Sequence, residues 1–325
     1  SSTVIASRTM NGGKTVIDVV LYAAAPQVIS VRDISRPVGE MELDADTLNL
    51  VVNPNNAVTK KLLVLMPNET IVPGEGLTGK AGLVGSVTAG STMTVTVYAC
   101  DAWYNQVGTY QPQVTFVKDN QFDAAPVTGA ATVISGGMKV FTGGVALKAA
   151  GVGRKVTVTA AGYTSSAGTG LTVNADALKA VHVLMPGETN VPGSATGRTG
   201  AVTDQTAGVA MPNPGMKVMA VDQYWNEVST AVVAVTMASN DNYAVFPTGS
   251  ALNVTGDKVY TDVVVLKTAS VGAGDKWVRV SAAGLSSDTG TVVKVVPNAA
   301  VKLQVLLPGE SALRGNWPGS GKTGA

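Results

Sequence analysis

Three stretches of this chain say nearly the same thing. Leu65-Met66-Pro67-Asn68-Glu69-Thr70 returns as Leu184-Met185-Pro186-Gly187-Glu188-Thr189 and again as Leu306-Leu307-Pro308-Gly309-Glu310-Ser311, with the prolines 119 and 122 residues apart. Asp101-Ala102-Trp103-Tyr104-Asn105 likewise recurs 121 residues later as Asp222-Gln223-Tyr224-Trp225-Asn226. A period near 120 is too long for solenoid units that stack only on neighbours, and close to the size of a self-supporting domain. The chain therefore reads as an array of similar domains, and its function as the function of an array.

Within each period the pattern is that of strands. Met93-Thr94-Val95-Thr96-Val97-Tyr98-Ala99, Lys155-Val156-Thr157-Val158-Thr159-Ala160 and Trp277-Val278-Arg279-Val280-Ser281-Ala282 alternate with period two. Such alternation puts one set of side chains inward and the other outward, as half-buried antiparallel strands require. Gly, Pro, Asn and Asp punctuate these runs at short intervals, and no 3.6-residue periodicity is sustained. The one candidate helical turn, Ala175–Lys179, is too short to matter. The expected fold class is all-β, as tandem antiparallel β-sandwiches.

Residues 61–179 and 180–300 are expected to be two complete repeats of about seven strands each. Residues 1–60 carry only the C-terminal part of a repeat, and 301–325 only the start of another. Ser1 is not an initiator Met and no charged-then-apolar leader follows it. The plainer expectation is a window on a longer repetitive protein. The sharper alternative is that the last strand of one chain completes the first half-repeat of the next by strand addition, against which the missing central strands count.

The order of elements is specific. A strand ends Val-Tyr-Ala-Cys-Asp (97–101) or Val-Met-Ala-Val-Asp (218–222), an Asp-x-x-x-Asn turn follows, then a strand such as Pro112–Phe116. Later come Lys-Val-Thr-Val-Thr-Ala-Ala-Gly (155–162), a Ser/Gly/Thr loop and the strand Gly170–Val173. This resembles the bacterial immunoglobulin-like domains found in tandem in adhesins of the invasin and intimin type and in very large bacterial surface proteins. The resemblance implies immunoglobulin-like sandwiches and a role as a modular spacer, with no catalytic activity. It departs at one position, because the family usually has Gly just before the Asn, where this chain has Tyr104 and Trp225.

Composition removes several alternatives. A net charge of +1 and the absence of basic clusters interleaved with aromatics give no case for nucleic acid. No apolar run approaches the roughly 20 residues of a membrane-spanning helix. Cys100 is the sole cysteine, so no intrachain disulfide exists; its alignment with Val221 marks it as a small core residue. His182, the sole histidine, lies between Val181 and Val183, which predicts an outward-facing, uninvolved side chain.

Asp101, Asn105, Asp222 and Asn226 are expected as turn stabilisers, since Asp and Asn side chains bond nearby backbone amides. They are also the natural candidates for calcium, which takes six to eight oxygens. Asp119, Asn120 and Asp123 would help in one repeat, and Asn240, Asp241 and Asn242 in the next. Otherwise no cofactor is expected. Trp103, Tyr104, Tyr224 and Trp225 are candidates for partner or ligand contact, or else packing at the end of the core. Glu69, Glu188 and Glu310 read as solvated residues of inter-domain connections around Pro67, Pro186 and Pro308.

Gly315–Thr323 imitates a phosphate-binding loop, but Asn316 stands where that loop needs glycine. A Gly-rich inter-strand loop is the better reading, because its counterparts Gly74–Ala81 and Gly193–Thr199 lie between strands too. No acid/base or nucleophile set emerges, so an enzyme is not expected. The expected function is that of an extracellular, bacterial cell-surface structural protein: a rod of repeats in a fibre, adhesin stalk or surface coat. Self-association would be head-to-tail or lateral. The alternative is an adhesin module whose aromatic loop tips recognise a carbohydrate or a host protein.

Overall fold

The computed structural model describes residues 8–31, 46–56, 59–126, 132–212, 215–272, 274–316 and 318–324. Parts of the expected N-terminal half-repeat, residues 1–7, 32–45 and 57–58, lie outside this set. The protein is all-β, its strands pairing antiparallel for the most part, with Gln205–Thr206 and Val295–Val296 a parallel pair; a short 3-10 helix falls at Gly249–Leu252 but none at Ala175–Lys179. Two compact units emerge, neither contiguous in sequence. One takes in Ser1–Val87, Ser91–Leu147 and Val152–Thr172; the other Thr88–Gly90, Lys148–Gly151 and Val173–Ala325.

In the first unit, the strand Lys61–Leu65 pairs with Thr92–Cys100, which pairs in turn with Met138–Ala146. A second sheet sets Val156–Thr159 between Thr115–Lys118 and Ser166–Ala167. The period-two pattern is realised: along Thr92–Cys100 the side chains of Met93, Val95, Val97 and Ala99 are buried, while Thr92 and Thr94 are exposed. Phe116 of one sheet meets Phe141 of the other edge-on, with ring centroids 4.9 Å apart. Upstream, Pro26–Val31 and Asp46–Val51 form an antiparallel pair whose Val28, Val31, Leu48 and Val51 are exposed.

The second unit holds a seven-stranded sheet. Its order is Ala180–Leu184, Met216–Val221, Asp257–Tyr260, Asn253–Thr255, Val232–Ser239, Val278–Ala282 and Asp288–Thr289. Val181, Val218, Val235, Val254, Val280 and Val295 share one buried cluster. Residues from both ends of the strand order meet in it, so the sheet folds back on itself. Asp288 closes that fold by accepting hydrogen bonds from the Val183 amide at 2.9 Å and from His182 Nδ1 at 2.8 Å. Burying each of these valines stabilises by about 2 kcal/mol.

Candidate functional site

The strand Thr92–Cys100 runs into Asp101, and there the chain turns back on itself: the Asp101 amide donates to the Asn105 carbonyl at 3.0 Å. Asp101 Oδ1 accepts from the amides of Trp103 at 2.8 Å and Asn105 at 3.0 Å. Its Oδ2 accepts from Asn105 Nδ2 and from the Asn55 amide, each at 2.9 Å. The asparagine, oriented by that carboxylate, reaches a segment some 80 residues upstream. Its Oδ1 accepts from the Ala24 amide at 2.7 Å, and its Nδ2 donates to the Tyr22 carbonyl at 2.8 Å.

The second unit repeats this set bond for bond. Asp222 accepts from the amides of Tyr224, Asn226 and Asp176 and from Asn226 Nδ2. Asn226 accepts from Ala150 N at 2.6 Å and donates to Lys148 O at 2.8 Å. The residue types follow from the task. An ionised carboxylate is acceptor-only and gathers donors, whereas a carboxamide carries an acceptor and a donor and so meets a carbonyl and an amide two residues apart. All four side chains are buried, and a buried polar group that is fully paired rigidifies its surroundings. The arrangement is a clasp on a passing main chain.

The neighbouring aromatics serve the clasp and its hairpin. Tyr104 and Trp225 hold φ of 59° and 65°, the left-handed region that favours glycine. The strain, about 1–2 kcal/mol, is offset by packing. A Cβ on Gly79 would lie 2.1 Å from Tyr104 Cγ, and one on Gly197 would lie 2.5 Å from Trp225 Cγ, so each ring lies directly on a glycine. This accounts for an aromatic where the resembled family has Gly. Trp103, still 36% exposed, packs against Tyr22 with centroids 4.0 Å apart and the rings tilted by 40°, and Tyr224 lies on Gly90. Their carbonyls accept from Gly74 N at 2.8 Å and Gly193 N at 2.7 Å.

The glutamates after the recurring prolines are not solvated linkers. Each folds back to cap the turn: Glu69 accepts from Met66 N at 2.7 Å, Glu188 from Met185 N at 2.8 Å and Glu310 from Leu307 N at 2.8 Å. Lys80, Arg198 and Lys322, in the Gly-rich loops, pair with them. In these positions the loop cations neutralise a carboxylate of their own hairpin. The signal was legible, since acid and base recur together in all three copies at similar spacing.

His182 is fully buried, which corrects the outward-facing expectation. Its face of the strand is roofed by the hairpin of Glu188–Asn190 and Arg198–Gly200 and by Trp225, whose ring lies 4.6 Å from the imidazole. Nδ1 meets Asp288, Nε2 lies 3.2 Å from the Gly197 carbonyl, and Arg198 also pairs with Asp288. Burial raises the Asp288 carboxyl, but hydrogen bonds from His182 and Val183 and the Arg198 charge outweigh it and hold it below the usual range.

The calcium candidates do not converge. Asp119 and Asp123 flank Arg154, whose guanidinium bonds both carboxylates at 2.8 Å and stands where a cation would. Asp241 is spent on Lys267 N, Thr268 N and Thr268 Oγ1 at 2.6–2.8 Å. Both carboxylate oxygens of Asp101 and of Asp222 face N–H donors, the reverse of a cation site. Among the described residues no three His, Cys, Asp or Glu side chains group as metal ligands. Cys100 is buried, and burial first, then the Asp101 charge, pushes its thiol up to about 12. No protein-family model matches the chain, and no curated protein matches it.

Proposed function

We propose that this chain is a non-enzymatic, extracellular structural protein of a bacterial surface. In this reading immunoglobulin-like repeats follow one another as a modular rod in a fibre, adhesin stalk or coat. One observation carries the reading: the duplicated clasp. Asn105 and Asn226 spend buried, fully paired carboxamides on holding main chain that belongs to the stretch before them, Tyr22–Ala24 and Lys148–Ala150. A repeat that grips its predecessor transmits orientation and load, which a spacer needs and a catalyst does not. The aromatic pairs, candidates for a ligand platform, are engaged in packing against Tyr22, Gly79, Gly90 and Gly197.

Negative-stain electron microscopy of the purified chain tests the reading. Extended particles with beads at a regular spacing are expected. Asn105→Ala and Asn226→Ala together should widen the distribution of bead-to-bead angles while leaving the beads intact. Compact particles without beads, or an angular distribution indifferent to the two asparagines, would overturn it.

A further inference from the structure

The imidazole of His182 has an oxygen in front of each ring nitrogen. Nδ1 lies 2.8 Å from Asp288 Oδ2, and Nε2 lies 3.2 Å from the Gly197 carbonyl. Neither oxygen offers a hydrogen. A carbonyl has none, and the Asp288 carboxyl stays below its usual range despite burial. A neutral imidazole carries one N–H and one lone pair, so in either tautomer one nitrogen meets an oxygen lone pair to lone pair. Only the imidazolium donates at both positions. The ring is 0% exposed, so solvent does not relieve the mismatch.

Charge points the same way. Asp288 opens the strand Asp288–Thr289, Arg198 opens Arg198–Gly200 and Glu188 opens Glu188–Asn190, with Arg198 Nη1 4.0 Å from Glu188 Oε2. From Met216–Val221 the residue opposite His182 is Met219, while Lys217 on the same face pairs with Asp257. On Val278–Ala282, Arg279 is exposed and turns to Ser287 Oγ at 2.7 Å. Around the ring, two carboxylates thus stand against one guanidinium, a deficit that a second proton on His182 fills. The guanidinium does not replace that proton: Arg198 Nη2 is 3.4 Å from Nδ1, farther than Asp288, and is bonded to the same carboxylate.

We propose that His182 carries a hydrogen on each ring nitrogen in the folded chain at neutral pH, and that this second proton latches the second clasp. The imidazolium ties Asp288 to the Gly197 loop and sets a cation against the Trp225 ring, 4.6 Å between centroids. Gly197 seats both rings, since a Cβ there would meet Trp225 Cγ at 2.5 Å and His182 Nε2 at 3.0 Å. Trp225 immediately precedes Asn226, which holds Lys148 and Ala150. Loss of the proton turns a lone pair on one of the two oxygens and takes the cation from Trp225, so the support under Asn226 loosens. A proton bound more tightly folded than unfolded adds stability at low pH, and that stability is lost as pH rises. In the first unit Leu63 takes the place of His182, so the hold of Asn105 on Tyr22 and Ala24 has no such dependence.

His182 is the sole histidine, so the full chain labelled at histidine gives a single set of imidazole signals. Nitrogen-15 NMR at neutral pH should find a hydrogen on both Nδ1 and Nε2. Raising the pH by about 2 units should remove one of them. At the same midpoint the nitrogen shifts of the Ala150 amide and of Asn226 Nδ2 should move, while those of the Ala24 amide and Asn105 Nδ2 stay. Asp288→Asn keeps the shape and removes the charge, and its midpoint should fall by at least about one pH unit. His182→Leu, which imports the residue of the first unit, should abolish the Ala150 response.

Three results would overturn the latch: a single ring hydrogen at neutral pH, a midpoint indifferent to Asp288→Asn, or an Ala150 amide indifferent to loss of the proton. The first and third are read on the unaltered chain and need no variant to fold. The effect on the grip rests on the modular reading, whereas the proton does not. Beaded particles with a singly protonated ring would leave the modular reading standing and remove the latch alone.

Discussion

The turns at Asp101–Asn105 and Asp222–Asn226 keep the same hydrogen bonds while the layer beneath them changes chemistry. Under the first, Leu63 and Leu65 pack with Tyr104, and Lys61 lies 4.4 Å from the centre of that ring. Ser166 Oγ accepts from the Val64 amide at 3.1 Å. Under the second, His182 replaces Leu63 and Asp288 replaces Ser166. The same backbone amide, now Val183 N, is met by a carboxylate that also holds His182 and Arg198. An apolar contact with a neutral cap and a buried charged network thus fill one architectural position. The contrast shows where this fold is rigid and where it tolerates exchange: the clasp reads backbone and is kept, whereas the layer under it need only be dense and fully paired.

The largest effect should come from striking what the two regions share. Asp101→Ala and Asp222→Ala each strand three backbone amides and an asparagine amide in a buried place, so each should cost about 3 kcal/mol or more. Urea unfolding should find the two losses alike. A loss in one region less than half that in the other would break the equivalence.

Next comes the exchangeable layer. Asp288→Ser alone removes the acceptor of His182 and Arg198 and should cost about 2–3 kcal/mol. Adding His182→Leu, which imports the pair found in the other region, should recover about 1 kcal/mol or more as a coupling in the double-mutant cycle. Additive losses would mean that the two fillings are not interchangeable.

A smaller effect tests the strained aromatics. Tyr104→Ala and Trp225→Ala lose ring packing and keep the left-handed backbone, whereas the glycine variants relieve it. Glycine should therefore be the milder substitution by about 1 kcal/mol at both positions. Equal losses for Ala and Gly would remove strain from the account.

Acid should act on both regions. Against the cost of burial, Asp119 is held down by Arg154, Asp241 by Thr268 and Lys267 amides, and Asp288 by His182, Val183 and Arg198. A depressed carboxyl binds more protons unfolded than folded. Its contribution is therefore full above the ordinary value near pH 4 and is lost as pH falls through the depressed one. The urea midpoint should hold from pH 7 to about 5 and decline below about 4. The smallest effect is that of chelation, which should leave the melting temperature within about 1 °C, because the carboxylates that could hold calcium are already bonded to Arg154 or to backbone amides.

Much of the fold could be read before the structure. Valine and threonine alternation located Thr92–Cys100, Val156–Thr159 and Val278–Ala282, because a half-buried strand writes its two faces into the sequence. The Asp-x-x-x-Asn turns were also legible, since an Asx side chain bonding nearby amides is a local matter. Their partners were not. Tyr22, Ala24, Lys148 and Ala150 offer main-chain groups, and main chain carries no side-chain signature. His182 misled for a related reason: alternation tells which residues share a face but not whether a distant hairpin roofs that face. The glutamate caps escaped as well, although the recurrence of Lys80, Arg198 and Lys322 beside them was there to be seen.

The asparagine clasp touches only peptide groups two residues apart. These hydrogen bonds do not depend on which side chain the held residue carries, and Tyr22 and Lys148 already occupy the same place in them. The gripped positions can therefore drift in sequence as long as their peptide groups stay in place, and only proline at Ala24 or Ala150, which has no N–H to give the asparagine, would be barred outright.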